Sequence, residues 1–400
     1  IYGPQRTGRF LSFLYIWQLS FSAPLSIASG SVGLAQYAGF LWPGLRRVYF
    51  SYQLPIPVPF VHTLPLTIVL GPSTFVAMLC CLLAAVLLYR NIQSVTRFSA
   101  LLWVGVMGTM MMVIVSGLLH FHPNLAFGFP AGAFRLSGDF FTGLGAALLI
   151  ATYDYWGAYN ICFLGAEVRD PGRTIPLAIV WSVGLVAALY LLMNTSVLGS
   201  MPWQELIGQA GTNARLSVAA VVVQRVSGSA AGQVVAVLVV WTAFASVYAL
   251  LLGYSRVPYA AALDDNYFRI FAHVHPRHRF PNVSLLMLTG VSMIFCVLQL
   301  ADLVAALVVI RILLQFLLQQ VGVMVLRHTQ PGLNRPFRIW LYPLPPLVAI
   351  AGFLYILFSR PHFAREIFFA MVVVLTGTAT YLLRARQRHE WPFVQPARPG

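Results

Sequence analysis

The segment from Gly138 to Ile179 decides the fold class, and it reads GDFFTGLGAALLIATYDYWGAYNICFLGAEVRDPGRTIPLAI. Its first part is an apolar block of about 20 residues, the length of helix that crosses the hydrocarbon core of a bilayer. Near the middle of this block, Tyr153–Asn160 contains one acid, one glycine, one amide and four large aromatic residues. An acid at that depth is typical of a functional segment in a membrane-spanning helix.

Asp154 is the most unfavourable residue of this segment in a membrane. A carboxylate at the centre of a spanning helix costs roughly 2.5–3.5 kcal/mol, so such groups face the bundle interior or a water-filled cavity. Gly157 favours a local break of the helix, and unpaired backbone at this depth is tolerated where it lines a cavity or meets a ligand. We therefore predict a broken helix over 140–164. The alternative is an intact helix in which Asp154 forms an ion pair with Arg311, the one arginine well inside a predicted span.

The composition of the whole chain favours the same class of protein. Of the 400 residues, 59% are hydrophobic and 9% are charged, and the mean hydropathy is +0.79. A soluble domain carries about a quarter charged residues. Apolar blocks of spanning length recur along the chain. The ten predicted spans are 10–38, 65–89, 98–119, 140–164, 175–198, 230–254, 283–300, 303–326, 342–358 and 363–383.

The basic residues predict the orientation of these spans. All 25 basic residues are arginine, so lysine is absent and neither a Schiff base nor a lysine proton carrier is available. With ten spans, most arginines fall on the side of the two termini. The other side holds only Arg46, Arg47, Arg135, Arg215, Arg225, Arg360 and Arg365. The positive-inside rule then predicts that both termini are cytoplasmic, and the arginines in loops do not form the basic stripe of a nucleic-acid-binding protein.

Metal and cofactor sites are not indicated. The four cysteines, Cys80, Cys81, Cys162 and Cys296, lie in apolar blocks without metal-ligand spacing, so we interpret them as packing residues. The histidines of the segment HVHPRHR belong to a solvated loop. We expect no metal and no cofactor.

Three separated segments carry a family resemblance. The first is the break Tyr153–Gly157, followed by Glu167 and the helix start Pro171–Pro176. The second is Ser255–Leu286, and the third is Val325–Leu347. In this order they resemble the sixth transmembrane segment, the loop between the eighth and ninth spans, and the segment after the tenth span of the amino acid–polyamine–organocation (APC) superfamily. More narrowly, the chain is similar to the L-type amino-acid transporter branch and its bacterial permease relatives, and the resemblance covers essentially the whole chain.

This resemblance implies an all-α integral membrane protein with a LeuT-like inverted-repeat fold. The first predicted span matches the family's third, so we expect an N-terminally truncated chain that lacks the first two transmembrane helices and retains about ten spans. It is then a single transporter domain over 1–400. In it, 10–137 is the remainder of the first repeat, 138–327 is the second repeat, and 328–400 holds two C-terminal spans and a tail. Each repeat of this fold contributes one broken helix to the substrate site.

The resemblance also implies a set of substrate-binding residues in the break. Tyr153 falls where the family places an aromatic gate over the substrate, and Gly157 falls at the break itself. Tyr159 and Asn160 fall at the start of the second half-helix. Trp156, between these positions, completes the predicted set together with Asp154.

Three residues are candidates for proton coupling or for gating. Asp154 stands where the family has a small uncharged residue, and it is a candidate for proton uptake or for attracting a cationic substrate group. Some proton-coupled relatives carry a lysine at the position that aligns with Val106, so proton coupling through that lysine is not available here. Glu167 and Arg311 are the other coupling or gating candidates.

The expected function is secondary active or exchange transport of amino acids across the cell membrane by alternating access. The alternatives are a transporter of polyamines or other organic amines, and a transport-inactive scaffold or sensor. An enzyme is not expected, because the sequence lacks a Ser/His or metal constellation. The expected partners are an amino-acid substrate and the lipid bilayer, with no nucleic acid. The segment Pro43–Pro65 has no cysteine, so we expect no disulfide-linked partner subunit of the kind found in animal L-type transporters.

Overall fold

Helices account for most of the chain in the structure, a computed structural model that describes residues 6–58, 61–89, 92–130, 132–208, 217–277, 280–335, 337–359, 363–388 and 390–393. The helices are α1 (Arg6–Leu41), α2 (Pro72–Leu88), α3 (Ile92–Leu119), α4 (Pro123–Ala126), α5 (Gly138–Asp154), α6 (Pro171–Ser200), α7 (Trp203–Gly208), α8 (Val218–Ser227), α9 (Ser229–Tyr254), α10 (Arg256–Leu263), α11 (Asn282–Phe295), α12 (Leu300–Arg311), α13 (Leu318–Thr329), α14 (Leu344–Phe358) and α15 (Phe363–Arg388). The strands are β1 (Phe50–Val58) and β2 (Val61–Leu70). Shorter 3₁₀ turns lie at Pro43–Arg46, Ala158–Glu167 and Arg269–Ala272, and a π-helical segment lies at Ile312–Leu317.

Six helices in the described part of the chain are long and apolar enough to cross a membrane. They are Gly8–Leu41, Val95–Leu119, Pro171–Ser200, Ser229–Leu263, Leu307–Thr329 and Ile367–Arg388. Shorter apolar helices coincide with three further predicted spans, at Pro72–Leu88, Asn282–Phe295 and Leu344–Phe358. The multi-pass helical class is therefore confirmed, and the count of ten spans stays a prediction.

Helix α1 lies at the centre of the bundle and packs against α2, α9, α11, α12 and α15. It buries large apolar side chains such as Phe13 and Ile27 together with hydroxyl groups such as Ser22 and Ser29. Small and hydroxyl residues allow the backbones of spanning helices to approach closely and hydrogen-bond across the interface. The helix continues through Pro24 without interruption. In contrast, α6 has almost no buried residues apart from Ser196 and Gly199, which suits a helix with one side covered by lipid.

The hairpin β1–β2 corrects the all-α prediction and the span predicted over 65–89. The two strands pair antiparallel, with Phe50 opposite Leu70 and Pro55 opposite Pro65, and α2 begins only at Pro72. Pro55 and Pro57 of β1 and Pro65 of β2 disfavour a helix here, because proline lacks the N–H that an α-helical hydrogen bond needs. They are tolerated in a two-stranded ribbon because both strands are edge strands. The hairpin also contacts the turn after α11, since the amide of Val69 donates to the carbonyl of Val297 at 2.7 Å.

The two ends of the described chain lie at the same end of the bundle. Arg9 Nη1, in the first helix, lies 3.7 Å from Glu390 Oε1, which follows the last helix. The loop after α10 joins them, since Arg388 Nη1 lies 3.6 Å from Asp265 Oδ1. The hydrogen bond from Arg269 lowers the pKa of the Asp265 carboxyl below its ordinary value. Charged groups are therefore concentrated at the end that the arginine pattern assigns to one side of the membrane.

Candidate functional site

The predicted broken helix is present, and its second half is a 3₁₀ helix. Helix α5 ends at Asp154, a turn covers 155–157, and the 3₁₀ segment runs over Ala158–Glu167. The backbone bonds across the turn join residues three apart, as in Trp156 N to Tyr153 O at 3.3 Å and Asn160 N to Gly157 O at 3.2 Å. Gly157 has φ −73° and ψ −24°, which any residue can adopt, and a Cβ there would meet nothing within 4 Å. The break therefore does not depend in this conformation on the backbone freedom of glycine.

The 3₁₀ geometry sorts the predicted site residues onto different faces. With about three residues per turn, positions three apart lie above one another. Tyr153, Trp156 and Tyr159 therefore share one face, which packs against the bundle core. Asp154 and Gly157 belong to the next face, which points away from that core. The substrate-binding residues predicted as one set are thus divided between two surfaces.

The aromatic face is joined to the first and ninth helices by hydroxyl contacts. Tyr153 Oη lies 2.8 Å from Ser29 Oγ in α1. Tyr159 Oη lies 3.3 Å from Tyr254 Oη at the end of α9. The rings of Trp156 and Tyr153 meet edge to face with centroids 5.7 Å apart. Buried hydroxyl and aromatic groups of this kind can bind a ligand that has both polar and apolar parts.

Arg311 is the charged centre of this surface. Its side chain is 1% exposed, and its guanidinium carbon lies 5.2 Å from the ring centroid of Trp156 and 5.1 Å from that of Tyr254. Nη1 donates to Tyr159 Oη at 2.5 Å, and Nη2 donates to the carbonyl of Ser22 at 3.3 Å. The π-helical segment begins immediately after Arg311, and such bulges are frequent at functional sites.

The alternative of an intact helix with an Asp154–Arg311 ion pair is wrong on both points. The helix ends at Asp154, and none of the ion pairs in the described residues joins these two side chains. The cause is the helix geometry, because Asp154 is turned away from the face that Arg311 contacts. Aromatic rings and hydroxyl groups surround Arg311 in place of a carboxylate.

Asp154 instead lies beside a cavity of about 380 Å³ between the break and α6. The helix α6 contributes Ser182 and Tyr190 to its lining, and the break contributes Tyr155 and Gly157. Asp154 is exposed, and the structure shows no ion pair for it within the described chain. A carboxylate beside such a cavity is accessible to a proton or to a cationic group.

Asn160 and Glu167 lie further along the 3₁₀ segment and have different surroundings. Asn160 packs against Gly253 of α9, where a Cβ would lie 3.7 Å from the Asn160 Cβ, and its Oδ1 is buried without a hydrogen bond among the described residues. Glu167 accepts hydrogen bonds from Arg256 Nε at 2.9 Å and Nη2 at 3.4 Å. This bidentate pair ties the end of the broken helix to the start of α10.

Sequence reasoning missed three residues of the buried surface that the aromatic face and Arg311 form together. They are Ser29 and Tyr254, described above, and Gln315, whose side chain is 0% exposed. Gln315 follows Arg311 by four residues, so its helical spacing and its polarity inside a span were the available signal. Ser29 belongs to a serine-rich run of α1, and such a run is equally typical of a packing interface between helices. The sequence around Tyr254 shows no pattern that distinguishes this residue.

Comparison with known proteins assigns the chain to a transporter family. It matches the amino acid permease family over residues 1–382. Serine/threonine exchanger SteT of Bacillus subtilis (strain 168) is 26% identical over 217 residues, which cover 54% of this chain and 48% of SteT. Branched-chain amino acid permease BcaP of the same organism is 24% identical over 384 residues, which cover 95% of this chain and 77% of BcaP.

A human relative extends the comparison to another organism. The cystine/glutamate transporter of Homo sapiens is 28% identical over 245 residues, which cover 60% of this chain and 47% of the human protein. The alignments thus span about half of the length of this relative and of SteT. The family and these relatives are transporters rather than enzymes. The chain therefore belongs to the amino acid permease family of the APC superfamily.

Proposed function

We propose that this protein carries amino acids across the cell membrane by secondary transport or exchange, with the broken helix as part of the substrate site. The observation that carries the proposal is the interruption of α5 at Asp154 beside a buried surface of aromatic, hydroxyl and guanidinium groups. Polar side chains and irregular backbone inside a spanning bundle are retained where they serve a ligand or an ion. The names of the relatives, an exchanger, a permease and a transporter of amino acids, support the same substrate class.

The aromatic face is the proposed substrate surface. Tyr153, Trp156 and Tyr159 carry polar atoms on large apolar rings, which suits a ligand with charged groups and an organic side chain. Gly157 and Asn160 complete the proposed set from the break and from the 3₁₀ segment. Glu167 has a gating role in this proposal, because its pair with Arg256 must separate if the 3₁₀ segment and α10 move apart.

The architecture proposed with this function is a LeuT-like one. The segments 10–137 and 138–327 would belong to its two inverted repeats, and 328–400 would follow them. Alternating access would then move the broken helix relative to a scaffold built around α1. We also propose the cell membrane as its location, cytoplasmic termini, and assembly without a disulfide-linked partner subunit.

Uptake by proteoliposomes containing the full-length protein tests the proposal. Labelled amino acids are expected to enter protein-containing vesicles faster than empty ones, and to enter faster still when the vesicles are preloaded with amino acid if exchange operates. Absence of uptake of each of the twenty standard amino acids would contradict amino-acid transport. Uptake of polyamines under the same conditions would favour the organic-amine alternative, which the exposed carboxylate of Asp154 makes a specific second candidate.

Asp154→Asn is expected to abolish accumulation driven by an inward proton gradient while leaving exchange measurable. The carboxylate lies beside a cavity and makes no ion pair within the described chain, so it is free to bind and release a proton. The measurement is uptake with and without a proton ionophore. Asp139→Asn is the matched control, because Asp139 is an exposed acid at the first turn of the same helix, far from the break. Unchanged gradient-driven accumulation by Asp154→Asn would remove Asp154 from this role.

A further inference from the structure

Arg311 places a full positive charge inside the bundle without a compensating carboxylate in the described chain. Its side chain is 1% exposed, and the ion pairs of the described residues do not include it. Burying an ion is unfavourable even after the protein relaxes, and the cost is normally offset by a paired charge. The rings of Trp156 and Tyr254 offset a part of this cost, because a desolvated cation is attracted to the face of an aromatic ring. The site therefore favours an occupant with negative charge.

Unpaired hydrogen-bond donors surround the same charge. Arg311 Nε and Trp156 Nε1 are buried and make no hydrogen bond within the described residues. Most buried polar atoms in native proteins have a partner, so a group of orphaned donors around one guanidinium requires an explanation. Both side chains are buried, Arg311 at 1% and Trp156 at 7% exposure.

The geometry of the free donors suits a carboxylate. Nη1 donates to Tyr159 and Nη2 donates to the Ser22 carbonyl, whereas Nε makes no hydrogen bond within the described residues. In a guanidinium, the N–H of Nε and one N–H of the adjacent Nη form one edge. This edge is the fork that binds a carboxylate through two parallel hydrogen bonds, which the compact ammonium of a lysine does not offer.

Net charge then distinguishes between classes of amino acid. A neutral amino acid brings one carboxylate and one ammonium, so its binding leaves the charge of Arg311 uncompensated. An amino acid with a carboxylate side chain has a net charge of −1 and neutralises the site as a whole. The orphaned acceptors Asn160 Oδ1 and Gln315 Oε1 remain available for its ammonium group.

We infer that Arg311 receives the side-chain carboxylate of the transported substrate, so that this protein selects dicarboxylic amino acids over neutral ones. The inference rests on the proposed amino-acid transport and adds the substrate class. Arg311 is then a specificity-determining residue, held in place by its contacts with Trp156, Tyr159 and Tyr254.

A comparison of the uptake of L-glutamate with that of L-glutamine tests this inference, because the two amino acids differ in charge and hardly in size. In proteoliposomes with the full-length protein, uptake of glutamate is expected to exceed that of glutamine at least about tenfold, the ratio that 1.4 kcal/mol of selective binding produces. Arg311→Gln is expected to remove this preference. Arg327→Gln is the matched control, because Arg327 lies near the end of α13, away from the break, and contacts the ring of Tyr342. The Arg327→Gln variant should keep the wild-type ratio of glutamate to glutamine uptake.

A measurement on the wild-type protein covers the case in which Arg311→Gln does not fold. Glutamate is expected to raise the thermal unfolding temperature of the purified protein more than glutamine does at equal concentration. Uptake of neutral amino acids without a preference for glutamate, or an unchanged ratio in a folded Arg311→Gln variant, would overturn the inference and leave amino-acid transport intact. Absence of uptake of every amino acid would overturn the proposed function as well.

Discussion

Trp156→Ala is expected to lower the free energy of unfolding by about 3–5 kcal/mol and to reduce transport to the background of empty vesicles. The indole is 7% exposed and lies at the junction of three elements. Its ring contacts Arg311 at 5.2 Å, Phe316 of the π-helical segment at 5.6 Å between centroids, and Tyr153 at 5.7 Å. Alanine leaves a cavity at this point and removes a ring that stabilises the buried guanidinium.

The size of this effect is checked by thermal unfolding of the purified protein, together with uptake at equal protein amounts. Trp181→Ala is the matched control, because Trp181 of α6 is 76% exposed and its removal leaves no cavity. Trp156→Phe should recover a part of the stability, since phenylalanine restores an aromatic face over Arg311. Equal unfolding temperatures for Trp156→Ala and Trp181→Ala would contradict the role assigned to Trp156.

Gly117→Ala is expected to destabilise the contact between α3 and α6 by about 1–3 kcal/mol. A Cβ on Gly117 would lie 2.8 Å from the backbone carbon and oxygen of Ser196. Because the obstacle is backbone, the two helices must move apart to relieve the overlap, and close approach at small residues is what holds spanning helices together. The expected readout is a smaller folded fraction on size exclusion and a lower unfolding temperature.

Gly108→Ala is the control for this substitution in the same helix. A Cβ on Gly108 meets nothing within 4 Å, so only the helix propensity changes, and alanine is favoured over glycine by about 1 kcal/mol. The two alanine variants should therefore change stability in opposite directions. A loss of stability in both would indicate that helix α3 tolerates no added side chain, and would contradict the contact with Ser196 as the cause.

The break at 153–160 was predictable because its signal is local. Placing an acid within an apolar spanning block is unfavourable in free energy wherever the block packs, so such a block is expected to serve a function or to be interrupted. The role given to Gly157 was not confirmed, since the chain turns by tightening into a 3₁₀ helix with Gly157 in an ordinary conformation. Hydropathy also extended the span at 65–89 into β2, because apolar residues between prolines have the same mean hydropathy in a strand as in a helix.

The sequence by itself determined the membrane class, the family and the position of the interrupted helix. The lengths of the apolar blocks, the cost of Asp154 and the order of the motifs are properties of the chain and do not depend on which helices touch. Only the tertiary structure decided that Trp156 and Tyr159 contact Arg311 while Asp154 faces the cavity beside α6. The reason is that adjacent residues of a helix point in different directions, which separates Asp154 from Tyr153, and that the tighter 3₁₀ geometry keeps Trp156 and Tyr159 on the face of Tyr153. Arg311 is brought to that face by packing between helices far apart in the sequence.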